Sequence, residues 1–74
     1  MDTTIISSDD NGILVSCVIL RSNATTVTIC NTKNEGVWFF KKDIKVFDNR
    51  TKLWIPRWLA KQAGFINDEI IKEN

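Results

Sequence analysis

Ile55-Pro56-Arg57-Trp58-Leu59-Ala60-Lys61-Gln62-Ala63-Gly64-Phe65 reads as a strand that turns directly into a short helix and stops on a glycine. Proline suits the first helical position, where its missing N–H would find no intrahelical partner. Glycine at the far end supplies the left-handed conformation that closes a helix. The brackets predict a helix over 56–63, and Trp58, Leu59 and Ala63 fall at a spacing that can share one face.

Working back from this stretch, Thr51-Lys52-Leu53-Trp54-Ile55 alternates, with Leu53 and Ile55 on one face and Lys52 and Trp54 on the other. Asp48-Asn49-Arg50 precedes it as a tight turn, and Ile44-Lys45-Val46-Phe47 reads as another short strand after a Lys41-Lys42-Asp43 break. Val37 to Phe40 opens a strand after the turn Asn31–Gly36. Thr25 to Cys30 alternates cleanly, with Val27 and Ile29 inward. Arg21-Ser22-Asn23-Ala24 reads as a hairpin turn, and Ile13 to Leu20 as one β-branched strand covered on both faces. The polar residues 1–12 read as a loose arm ending in the turn Asp9-Asp10-Asn11-Gly12. Beyond the helix and its cap at 56–66, residues 67–74 read as a tail or short helix capped by Asn67.

The expected fold is therefore α+β within one small domain. A curled antiparallel sheet of about five strands spans 13–55, as in a partly closed SH3-like or OB-like barrel, and a short C-terminal helix follows. A chain of 74 residues buries only about 60% of its unfolded surface, so stability is scarce. A hydrophobic content of 43% argues against disorder. No apolar run approaches the roughly 18 residues that span a bilayer, and Met1-Asp2-Thr3-Thr4 lacks the basic flank and apolar core of a secretory signal. The two cysteines, Cys17 and Cys30, read as small strand residues kept reduced in a cytosol.

Net charge is +1, but unevenly spread. Residues 37–66 carry Lys41, Lys42, Lys45, Arg50, Lys52, Arg57 and Lys61 against Asp43 and Asp48, whereas both ends are acidic. Such a middle can present a polar field despite the small total.

Val37-Trp38-Phe39-Phe40-Lys41-Lys42-Asp43-Ile44 and the opening stretch together resemble a group of small bacteriophage and prophage proteins. Their pattern runs Trp-Ile-Pro-Lys-Ser-x-Ile, then Val/Ile-Pro-x-Trp-Leu-Ala with a following glycine. The resemblance covers residues 24–66; Phe40 and Lys42 stand where the pattern has proline and serine. It implies phage origin and the host cell cytoplasm, and it implies no activity. Read physically, Trp38 and Trp58 are expected to be two walls of one core.

Catalysis has little support. The chain has no histidine, its carboxylates stand singly, and its serines have no activating neighbour. No Cys-x-x-Cys pair or phosphate-binding glycine loop is present, so neither a metal nor a cofactor is expected. Binding has more. Three tryptophans and four phenylalanines exceed what one small core consumes. Trp54 points away from Leu53 and Ile55; Phe39 or Phe40, and Val46 or Phe47, face the same choice. With Lys41, Lys42, Lys45, Lys52 and Arg57 around them, Trp54 and Phe40 form the candidate partner-binding set. Aromatics among cations serve both single-stranded nucleic acid and protein hot spots. A near-neutral total favours a host or phage protein as partner, because nucleic-acid affinity rests on phosphate neutralisation. The expected function is a non-enzymatic interaction protein that modulates or inhibits a host protein. By analogy with small phage inhibitors, that target is a defence component such as a CRISPR effector or restriction enzyme. The alternative is a single-stranded nucleic-acid-binding module of phage replication or recombination; self-association is the third reading.

Overall fold

The computed structural model describes residues 3–47 and 51–66. They form β1 (Thr4–Ser8), β2 (Gly12–Ser16), β3 (Arg21–Ser22), β4 (Thr26–Cys30), β5 (Gly36–Phe40), β6 (Lys45–Phe47), β7 (Lys52–Pro56) and α1 (Arg57–Ala63). One sheet has the order β1-β2-β7-β6 and the other β3-β4-β5, and neighbouring strands pair antiparallel. The class is α+β, but as two sheets rather than one curled sheet of five strands. Among the described residues the two sheets are not joined into a closed barrel.

The core lies where the inward faces meet. Ile13 and Val15 from β2 and Leu53 and Ile55 from β7 join Val27 and Ile29 from β4, all essentially without solvent contact. Phe39, Ile44, Ala60 and Phe65 complete it, with the Phe39 and Phe65 rings 6.1 Å apart. Burying such side chains is the main favourable term available to so small a chain.

Three expectations change. The run 13–20 is not one strand: β2 ends at Ser16, Cys17 N donates to Thr51 O, and Leu20 N donates to Thr28 O. Residues 17–20 thus carry the chain from one sheet to the other, with Cys17 buried and Val18 and Leu20 exposed. Arg21 and Ser22 belong to β3, and the hairpin turn begins at Asn23, whose Oδ1 accepts from the backbone N–H groups of Thr25 and Thr26. The arm 1–12 contains an edge strand, because Ile5 pairs with Val15 and packs on the core while Thr4, Ser7 and Ser8 stay in solvent. Its register shifts between Ile5 and Ser7 in a bulge.

Pro56 ends β7 and is the N-cap of α1, with extended backbone, so the helix begins at Arg57, one position later than expected. Gly64 has φ 89°, and Phe65 N donates to Ala60 O at 2.9 Å, closing the helix as a Schellman motif. The buried face of α1 is set by Ala60, with Leu59 and Ala63 beside it. Trp58 lies two residues, about 200°, from Ala60 and so faces solvent. The expected Trp38–Trp58 core is therefore overturned: a small side chain, not a large one, meets the sheet. The expected turn at 48–50 and the Asn67-capped segment lie outside the described residues.

Candidate interaction surface

β5 has an inward and an outward row. Val37 and Phe39 face the core, so Trp38 and Phe40 project from the opposite face, opposite Thr28 and Thr26 of β4. Trp38 is 58% exposed and Phe40 44%. Their rings meet edge-to-face at 5.0 Å and 89°, a favoured aromatic geometry. The Lys42 ammonium stands 5.7 Å from the Phe40 ring centre. Across a shallow groove, α1 presents Trp58, 56% exposed, with Leu59 and Gln62. Asp43 also lines that groove, and a second one, sharing Trp38, Phe39, Leu59 and Gln62 with it, is lined by Gly36, Val37 and Ala63. Both are open surface channels of about 310–320 Å³, at the low end for enclosing a small molecule.

Trp54 occupies a different setting. It lies in β7 between Leu14 and Lys45, on the face opposite Leu53 and Ile55. Its ring covers Gly12 so closely that a Cβ there would stand 2.6 Å from it. The Lys45 ammonium is 5.6 Å from the ring centre. Trp54 is thus half-buried, clamped between a glycine and a lysine.

The candidate set consequently divides. Phe40, Lys41 and Lys42 gather at the end of β5, where Lys41 N donates to Thr25 O. Trp54, Lys45 and Lys52 belong to the four-stranded sheet. Arg57 serves the β1–β2 turn: its Nη1 donates to Asp9 O at 3.1 Å and its backbone N to Asn11 O. Sequence reasoning missed Trp38 and Trp58 as surface residues. The available signal was the period-2 rule within β5, which sends Trp38 outward as soon as Phe39 is placed inward.

Asn31, also missed, fastens the groove. It is buried, accepts at Oδ1 from the backbone N–H groups of Lys33 and Glu35, and donates from Nδ2 to Glu35 Oε1 and Ala63 O. It ties the β4–β5 turn to the end of α1. Cys17 and Cys30 are buried and not joined in a disulfide, and burial pushes the Cys17 thiol up, away from the reactive thiolate.

Among the described residues no helix is long and apolar enough to cross a membrane. No three His, Cys, Asp or Glu side chains among them gather as a metal-ligand group. Compared with protein-family models, curated proteins and solved structures, the chain matches none.

Proposed function

We propose that this chain is a non-enzymatic interaction protein that binds another protein through the aromatic surface of β5 and α1. The observation that carries this reading is the joint exposure of Trp38, Phe40 and Trp58 on the walls of one groove. Three large aromatics in solvent cost a 74-residue domain burial that it can ill spare, unless a partner covers them. Two antiparallel sheets around one core are consistent with an open relative of the SH3-like or OB-like class. The resemblance to phage proteins supports a host protein as target, met in the host cytoplasm, with inhibition as the outcome.

Net charge weighs against nucleic acid. Trp38 and Trp58 have Asp43 and Gln62 for groove neighbours, whereas a single-strand channel tracks phosphates with a cationic row. The test is affinity capture from host extract, with nuclease and at moderate salt. Capture should persist, and Trp38→Ala and Trp58→Ala should each abolish it while the far-ultraviolet circular dichroism is retained. A bare oligonucleotide competing for the same surface would transfer the assignment to nucleic acid.

A further inference from the structure

The turn between β1 and β2 holds a dipeptide with chemistry of its own. Asn11 is exposed, and among the asparagines of the chain it alone is followed by glycine. Glycine has no Cβ to shield its backbone nitrogen, so that nitrogen can approach the side-chain amide of the preceding asparagine. Packing fixes this neighbour. A Cβ on Gly12 would stand 2.5 Å from Ile55 O and 2.6 Å from the Trp54 ring, so β7 leaves no room for a larger residue.

We propose that Asn11-Gly12 is a self-modification site, converting asparagine to aspartate or isoaspartate, and that the Asp9 carboxylate keeps it shut in the folded chain. The Gly12 nitrogen attacks Asn11 Cγ. A bond forms between them, the Cγ–Nδ2 bond breaks, and Nδ2 leaves as ammonia with the proton that the Gly12 nitrogen gives up. The product is a cyclic imide. Water then opens it, hydroxyl going to one of the two carbonyl carbons and hydrogen to the ring nitrogen. Opening at one carbonyl leaves aspartate. Opening at the other leaves isoaspartate, whose main chain runs through Cγ.

The folded turn restrains the atoms that this step needs. Gly12 N donates to Asp9 Oδ1 at 3.0 Å, and Asn11 N donates to the same oxygen at 2.8 Å. A proton shared with a carboxylate is held on its nitrogen by a charge-assisted bond. Asn11 O accepts from Arg57 N at 3.0 Å. The peptide group between Asn11 and Gly12 is thus fastened at both its oxygen and its nitrogen, and it cannot swing toward Asn11 Cγ without breaking those bonds. Asp9 is itself fixed, because its N donates to Gly12 O and its O accepts from Arg57 Nη1. Conversion therefore waits on local opening of the turn. Isoaspartate then leaves the former Asn11 carbonyl as a carboxylate outside the main chain, and the loss of ammonia makes the change one-way. The inference is independent of the interaction reading, since neither a partner nor the exposed aromatics enter it.

The test incubates the full chain at mildly alkaline pH, folded and in guanidinium chloride. Ion exchange measures the converted fraction, and peptide mapping locates it and separates aspartate from isoaspartate. In denaturant, conversion should concentrate at Asn11. The folded chain should convert at least about tenfold more slowly, because the turn must open first. Folded Asp9→Ala should convert about threefold to tenfold faster than the parent, and Asp9→Ser, which keeps a weaker oxygen acceptor, should fall between the two. Far-ultraviolet circular dichroism separates a lost restraint from a lost fold; if Asp9→Ala unfolds, folded Asp9→Ser against the parent decides. Equal rates in the folded and denatured chain would overturn the proposal. So would folded Asp9 variants that convert no faster than the parent, or denatured chain that converts at Asn23, Asn31 or Asn34 ahead of Asn11.

Discussion

Trp54 and Trp38 are both outward-facing residues of β-strands, and their surroundings have almost nothing in common. Trp54 lies on a strand with neighbours on both sides, over the bare backbone of Gly12 and under Lys45. Trp38 lies on an edge strand, touches Phe40 edge-on, and leaves more than half its surface to water. The difference teaches that an aromatic on an outward face stays open to solvent where the neighbouring strand is missing. In the middle of a sheet the same side chain is absorbed by its cross-strand neighbours.

The sharpest way to break this comparison is within β5 itself. Phe39→Ala should cost about 3–5 kcal/mol in urea unfolding, and Phe40→Ala, one residue on, less than about 1 kcal/mol. Equal losses would mean that both faces of β5 are covered. Next in size, Asn31→Ala should cost about 3 kcal/mol, since two N–H groups and the Ala63 carbonyl lose their partner together. A variant melting with the native chain would show that the turn and α1 are fastened by something else. Gly64→Ala should cost about 1–2 kcal/mol from its φ of 89°, with a Cβ placed 2.7 Å from Asn31 Nδ2 adding to it.

Trp58→Ala should lower stability by less than about 1 kcal/mol while removing partner capture. A large loss would restore Trp58 to the core. The smallest effect belongs to Cys17. Its thiol holds its proton to higher pH in the folded chain than when unfolded, so the native state binds more protons in that window. Stability is full below the ordinary thiol value of 9.0 and declines as pH rises toward the raised native value. Cys17→Ala should flatten that decline in thermal melts from pH 8 to 10.

Much of the local structure was legible. The Pro56 and Gly64 brackets, the turn at Asp9–Gly12 and the inward rows Val27/Ile29 and Leu53/Ile55 follow from backbone preference and period-2 alternation. These signals need no knowledge of what lies opposite. The crossing at 17–20 was hidden because β-branched residues suit a strand and an apolar connection equally. β1 was hidden because an edge strand contributes only Ile5 to the core and leaves Ile6 and its hydroxyl residues in solvent, so no clean alternation marks it. The aromatics misled for a related reason: Trp58 looked like core by size, but the close approach of α1 to the sheet selected Ala60. Of the residues around the end of β5, the sequence singled out Phe40, Lys41 and Lys42 but not the exposure of Trp38 and Trp58, since only tertiary pairing says which strand is last in its sheet and which helix face meets it.

The strand order has a consequence for synthesis. β3, β4 and β5 pair in sequence through short turns, whereas β2 must wait for β7, as Gly12 pairs with Pro56. Local pairings form ahead of distant ones. On the ribosome the three-stranded sheet can thus assemble while α1 is still in the exit tunnel, with its uncharged edge open to neighbouring nascent chains. Force-sensitive arrest sequences placed along the chain should register a first folding event once β5 has emerged and a second only after β7. A single late event would mean that the two sheets form together, and that the edge is never displayed without its helix.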